Sequence, residues 1–165
     1  MKKETYEKIA EKVRSSGHIA EGIIISDRIL TKISYIVYPL LLLVLLIKSD
    51  PDLLRAVAVP AVSFVLLSIF RHLYCAPRPY EVMGIAPLIN KDTKGRSFPS
   101  RHVFSAFIIA VTVFYFAPVC GTALLAVGTA MAAVRVLGGV HFIKDVVAGA
   151  VIGILCGIAG FYLIG

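Results

Sequence analysis

The chain predicts an all-α, polytopic membrane helix bundle of about five transmembrane helices, with an N-terminal interfacial amphipathic helix in front of it. Three observations carry that prediction. Hydrophobic residues make up 58% of the 165 residues, against 16% charged, and mean hydropathy is +0.87. A soluble domain of this length would have too little polar surface to cover such a core. The charges gather at the ends of uncharged runs, and those runs approach the length that a hydrocarbon core of about 30 Å demands. The formal net charge of +7 points to the lipid bilayer and not to nucleic acid, because the basic residues flank apolar runs, where phosphate headgroups lie. The chain reads as one domain in two parts: an N-terminal amphipathic and interfacial segment, 1–32, and a membrane-embedded part, 33–165.

Residues 2–14 open as an amphipathic helix, with Tyr6, Ile9, Ala10 and Val13 at i, i+3, i+4 and i+7, suited to lying on a membrane surface. Ser15-Ser16-Gly17 breaks it. No short apolar run with a small-residue cleavage site follows, so no cleavable signal is expected. Residues 19–30 are apolar but hold Glu21, Asp27 and Arg28, and are expected to skim the interface. The runs 33–47 and 56–70 have fifteen residues each, about 22 Å of helix, so the flanking Lys and Arg must snorkel. The run 103–134 has thirty-two uncharged residues, about 48 Å, too long for one crossing. Pro118, followed by Gly121, divides it into a hairpin of two spans, about 102–117 and 119–137. A fifth span, 146–165, closes the chain.

That count of spans sets which polar residues meet. The second span ends at Arg71, so the loop 71–101 lies on one face and the third span leaves from it. The turn at Pro118 is on the opposite face, and the fourth span returns Arg135 to the first. Three polar islands far apart in sequence therefore share one membrane edge. Charges near a bilayer core cost roughly 2.5–3.5 kcal/mol each on insertion scales, so they rarely sit there without a task. Gly149, Gly153 and Gly157, like Gly128 and Ala132, repeat every four residues and mark close helix packing. Cys75, Cys120 and Cys156 form neither a zinc pattern nor a disulfide frame. The loop 80–98 carries Lys91, Lys94 and Arg96 and has the length of a substrate entrance or lid.

The islands hold what is needed to grip a phosphate and break its ester. Arg71, Arg78 and Arg135 are permanent, bidentate cations for the non-bridging oxygens. Pro99-Ser100 reads as a helix start with Ser100 as N-cap, and a helix N-terminus is an anion site. His141 and Asp145 are four apart, stacked on one face if the helix begins before them. A carboxylate on one ring nitrogen fixes the tautomer and leaves the other lone pair free for attack. His102, beside the helix start, is placed to protonate the leaving oxygen and then to activate water. Each residue also has a plainer reading, as a snorkelling arginine or a helix cap, but these readings do not explain why all lie at one face. No metal and no cofactor is expected: Glu81, Asp92 and Asp145 are the only nearby carboxylates, beside cations that repel a divalent ion.

With these residues the chain resembles the type-2 phosphatidate phosphatase superfamily, the lipid phosphate phosphatases related to vanadium haloperoxidases. The family pattern is Lys-x6-Arg-Pro, then Pro-Ser-Gly-His, then Ser-Arg-x5-His-x3-Asp. Arg71 stands in the Lys place before Arg78-Pro79, Pro99-Ser100-Arg101-His102 has Arg101 for Gly, and Val134 replaces Ser before Arg135, His141 and Asp145. The resemblance covers residues 71–145. It implies metal-independent hydrolysis of a lipid phosphate through a phosphohistidine on His141, with His102 as acid and base and Asp145 orienting His141. Arg71, Arg78, Ser100 and Arg135 would bind phosphate, and Arg101 would crowd the pocket or reach a second phosphate. The substrate class it implies is first an isoprenoid diphosphate such as undecaprenyl diphosphate, then phosphatidate or phosphatidylglycerol phosphate. Two rivals reuse the same residues, a lipid phosphotransferase and a catalytically silent binder of phosphate headgroups or conductor of anions. Nothing in the chain sets an oligomeric state. The excess of Lys and Arg before the first span votes for a cytoplasmic site, whereas family members that recycle carrier lipids work outside, so the face stays open.

Overall fold

The computed structural model describes residues 11, 13, 15–84, 86–89 and 94–163. Across them run the helices α1 Gly17–Ile47, α2 Leu53–Tyr74, the short α3 Pro79–Met83, α4 Arg101–Phe116, α5 Pro118–Leu137 and α6 Ile143–Ile158, the last continued by a π-helical turn at Ala159–Leu163. Among the described residues there is no strand. Four helical stretches are long and apolar enough to cross a bilayer: Gly17–Ile47, Leu53–Met83, Pro118–Leu137 and Ile143–Leu163. The remaining expected span, α4, has only 16 residues, about 24 Å. Most of it is buried, with Val103, Phe104, Ile108 and Val113 each at most 3% exposed. It packs mainly against neighbouring helices, with Phe114 left exposed near its end.

Pro118 divides the long apolar run as expected. Ala117 is extended, Pro118 opens α5 at its first position, and a missing N–H costs nothing there. Gly121 lets the two arms cross, since a Cβ on it would lie 2.3 Å from the Phe114 Cα. The glycine stripe of the last span is likewise a packing surface. A Cβ at Gly149 would meet the Ser100 carbonyl, one at Gly153 the Phe104 carbonyl, and one at Gly157 the Val111 side chain, so α6 lies directly on the backbone of α4. On α2, Pro60 cannot bond to the Ala56 carbonyl four residues earlier. The Tyr38 hydroxyl of α1 donates to that carbonyl instead, at 3.0 Å, which satisfies it inside the membrane.

The N-terminal region differs from expectation. Ser16 precedes α1 as its cap, where the break at Ser15-Ser16-Gly17 was expected, and Glu11, Val13 and Ser15 are helical. The rest of the amphipathic helix expected over 2–14 lies outside the described residues. The expected division between an interfacial stretch at 19–30 and a span starting at 33 is absent, because α1 runs unbroken through both, about 46 Å of helix. Of the three charges that argued for the interface, Glu21 and Arg28 are exposed, while Asp27 faces the bundle, buried together with Ile23, Ser34 and Leu45. Asp27 finds an arginine there, as described below.

Candidate active site

The end of α2 supplies the first arginine, Arg71, in its last turn. Cys75 then takes a left-handed conformation, φ 46°, and turns the chain back to Arg78, the N-cap of α3. Both guanidiniums are buried, at 6% and 3% exposed, and both hold the loop that follows. Arg71 donates to the Ser97 carbonyl at 3.2 Å and to the Arg96 carbonyl. Arg78 donates to the Gly95 carbonyl through Nε and to the Val140 carbonyl through Nη1, each at 3.1 Å. Glu81 accepts the Arg78 amide at 2.7 Å and the Gly95 amide at 2.9 Å. Four carbonyls from two loops are thus tied to two fixed cations.

The second island begins α4. Ser100 is its N-cap, as the sequence indicated, and its amide donates to the Asp145 carbonyl at 2.8 Å, which docks the start of α4 on α6. The Ser100 hydroxyl is fully buried, caps nothing, and has no hydrogen-bond partner among the described residues. It lies beside a helix N-terminus, where an acceptor is favoured.

The third island is not the single helical face that was expected. α6 begins at Ile143, so His141 lies before the helix and only Asp145 is on it. Asp145 accepts the Phe142 amide at 3.0 Å, and so caps α6 as well as facing the imidazole. His141 Nδ1 stands 3.5 Å from Asp145 Oδ2. Ser97 lies beside both groups: its hydroxyl donates to Asp145 Oδ2 and is 3.4 Å from His141 Nδ1. Burial, with His141 1% exposed, pushes the imidazole down to about 4, against the opposing pull of Asp145. Burial thus favours the neutral imidazole at pH 7.

These islands line one cavity of about 600 Å³, in which Arg71, Arg78, Arg101, His102 and His141 meet. His72, Lys94 and Arg96 line it too; the sequence marked Lys94 and Arg96 only as charges of the loop, since nothing in their spacing distinguishes them. Among the described residues no carboxylate lines it, and no three His, Cys, Asp or Glu side chains converge. Arg101 and His102 also line a second cavity of about 210 Å³, with Phe64 and Ile109. The Arg101 guanidinium rests 5.5 Å from the Phe64 ring centroid, a cation–π distance. A third cavity, about 200 Å³, shares Phe64, Ser105 and Ile109 and reaches Tyr38 and Pro60. A polar cup therefore adjoins a mostly apolar passage between α1, α2 and α4.

Arg135 is brought elsewhere. It is buried, at 3% exposed, but is not among the residues lining the cup. Its Nε lies 2.9 Å from Asp27 Oδ1, and Nη2 donates to the Thr31 hydroxyl at 3.4 Å. The Asp27 contact is an ion pair without hydrogen-bond alignment, since neither of those two atoms has a hydrogen-bond partner. The sequence grouped Arg135 with the phosphate-binding cations because the count of spans returns it to the site face and its spacing to His141 and Asp145 fits the motif; neither shows that Asp27 lies beside it.

A helix bundle with a cation-lined, imidazole-bearing cup beside an apolar passage has the architecture of a multi-pass membrane phosphatase. The PAP2 superfamily pattern matches residues 52–165, and the chain belongs to that superfamily. The crystal structure of Aquifex aeolicus LpxE is similar, with a TM-score of 0.74 and 24% identity over 95% of this chain and 92% of that one. The PAP2-type phosphatidylglycerolphosphate phosphatase of Bacillus subtilis shares the fold at a TM-score of 0.59 and 17% identity, over 94% of this chain and 90% of that one. Bacitracin transport permease protein BcrC of Bacillus licheniformis is 33% identical over 86 residues, 50% of this chain and 42% of that relative's length.

Proposed function

We propose that this protein hydrolyses a lipid phosphate or diphosphate without a metal ion, through a phosphohistidine on His141. The observation that carries the reading is the shared cavity, in which a buried imidazole, a second imidazole and three motif arginines meet. In this reading His141 attacks phosphorus in line while His102 protonates the departing oxygen. His102 then takes a proton from water, which cleaves the phosphohistidine and releases inorganic phosphate. Arg71, Arg78, the Ser100 hydroxyl and the first amides of α4 neutralise the oxygens, and Asp145 orients His141. Arg135 would act at one remove, through α1, unless a bound anion draws it away from Asp27.

The substrate class we favour is an isoprenoid diphosphate such as undecaprenyl diphosphate, ahead of phosphatidate or phosphatidylglycerol phosphate. Two features support that order. Arg71, Arg78, Lys94, Arg96 and Arg101 line the cup, more positive charge than one phosphate neutralises. The adjoining passage, about 210 and 200 Å³ in its two parts, is a narrow space better suited to one chain than to two. In detergent, the purified protein should release inorganic phosphate with chelator present, and His141→Ala should abolish the release; activity surviving that substitution defeats the assignment. Transfer to a lipid acceptor in place of water would show as a new phospholipid product without free phosphate.

A further inference from the structure

Ser97 belongs to none of the motif positions, yet it holds the centre of the third island. Its hydroxyl donates to Asp145 Oδ2, and its oxygen lies 3.4 Å from His141 Nδ1. The direct imidazole–carboxylate separation of 3.5 Å is the longest side of that triangle. We propose that Ser97 is a positioning residue that relays the Asp145 carboxylate to His141, as Nδ1–H to Oγ, and Oγ–H to Oδ2. Held this way, the ring keeps its proton on Nδ1 and presents the Nε2 lone pair to phosphorus.

Three observations make the relay a built feature. Ser97 and Asp145 are both fully buried, so water does not compete for the hydroxyl. The Ser97 backbone is tied on both sides, its amide to the Ala76 carbonyl at 2.8 Å and its carbonyl to Arg71 at 3.2 Å, which aims the side chain independently of its own hydrogen bonds. Among the described residues Asp145 Oδ1 has no hydrogen-bond partner, while Oδ2 accepts from the Ser97 hydroxyl and the Phe142 amide and faces His141. The relay rests on the phosphohistidine reading for its consequence in rate, but its geometry does not depend on the substrate.

The test compares Ser97→Ala and Ser97→Thr with wild type, alone and in an Asp145→Asn background. We expect Ser97→Ala to lower kcat by about 10²-fold, the scale of a misplaced reacting group, with KM nearly unchanged, and Ser97→Thr to restore part of the loss. In the Asp145→Asn background Ser97→Ala should add little, because both act through one path. Nitrogen-15 spectra of the histidine rings should show His141 protonated on Nδ1 in wild type and a tautomer mixture in Ser97→Ala. A kcat within twofold of wild type, full additivity with Asp145→Asn, or an unchanged tautomer would overturn the relay. Should wild-type protein release no phosphate, the functional reading falls, while the ring spectra still decide the role of Ser97.

Discussion

Replacing Gly149 by alanine puts a methyl carbon 2.6 Å from the Ser100 carbonyl oxygen and 3.3 Å from the Phe104 nitrogen. Both are backbone atoms in the first turn of α4, so no side chain can swing aside. Carbon–oxygen contacts settle at about 3.3–3.6 Å, so α6 must move away from α4 by nearly 1 Å. Overpacking of this kind costs about 1–3 kcal/mol, offset in part by the gain of roughly 1 kcal/mol for alanine over glycine in a helix. A net loss of about 0–2 kcal/mol in stability follows. The loss of activity should be larger in proportion, because the two helices carry Ser100 and Asp145, joined by the Ser100 amide at 2.8 Å. A shift of that size at reacting groups costs about 10²-fold in rate. Thermal unfolding and phosphate release in detergent measure the two effects separately. Gly22→Ala is the control: a Cβ there meets nothing within 4 Å, so stability should hold or rise. Gly149→Ala with wild-type melting and wild-type turnover would refute the close approach of α4 and α6 and, with it, the way the site is assembled.

Ser100→Ala should leave the melting temperature unchanged or raise it slightly, since it deletes a buried hydroxyl without a partner among the described residues, while phosphate release falls by about tenfold or more; parallel losses of both would show that the hydroxyl is structural. Asp27→Asn should destabilise by about 3–5 kcal/mol, the cost of stranding a buried charge, because Arg135 and Asp27 are 3% and 13% exposed in their pair; an unchanged melting curve would mean that Arg135 has another partner. Burial holds His141 at about 4 in the folded protein against an ordinary 6.5, so the unfolded chain binds the extra proton between those values. Stability from this residue is therefore complete above about pH 6.5 and is lost as pH falls towards 4, roughly 3 kcal/mol in all; His141→Gln should flatten that part of a stability–pH curve.

Much of the fold was legible because bilayer physics writes it into composition. Runs of uncharged residues, a proline at the middle of an overlong run, and glycines every four residues on α6 announced spans, a hairpin and a packing face. The length of α4 was legible as well, but not its mostly buried place, which depends on what surrounds it. α1 was misjudged because Asp27 was weighed as an exposed charge, and a buried acid reads as interfacial until its partner is known. That Arg71, Arg78, Arg101, His102 and His141 come together in one cavity was legible through residue type and spacing. The place of Ser97, Lys94 and Arg96 beside them was not, since it depends on loop conformation, with Gly95 and Arg96 both at positive φ.

By itself, the sequence determined that this chain crosses a membrane, that its polar islands come to one edge of it, and that their chemistry suits a phosphate. These follow from hydrophobic run lengths and the parity of crossings, which are local and additive properties. Only the tertiary structure decided which cations face the cup and which are neutralised, with Arg135 held by Asp27 across 104 or more positions of chain and Ser97 set between His141 and Asp145. Ion pairing and hydrogen bonding fall off within a few ångströms, so they depend on spatial neighbours that spacing along a chain does not specify.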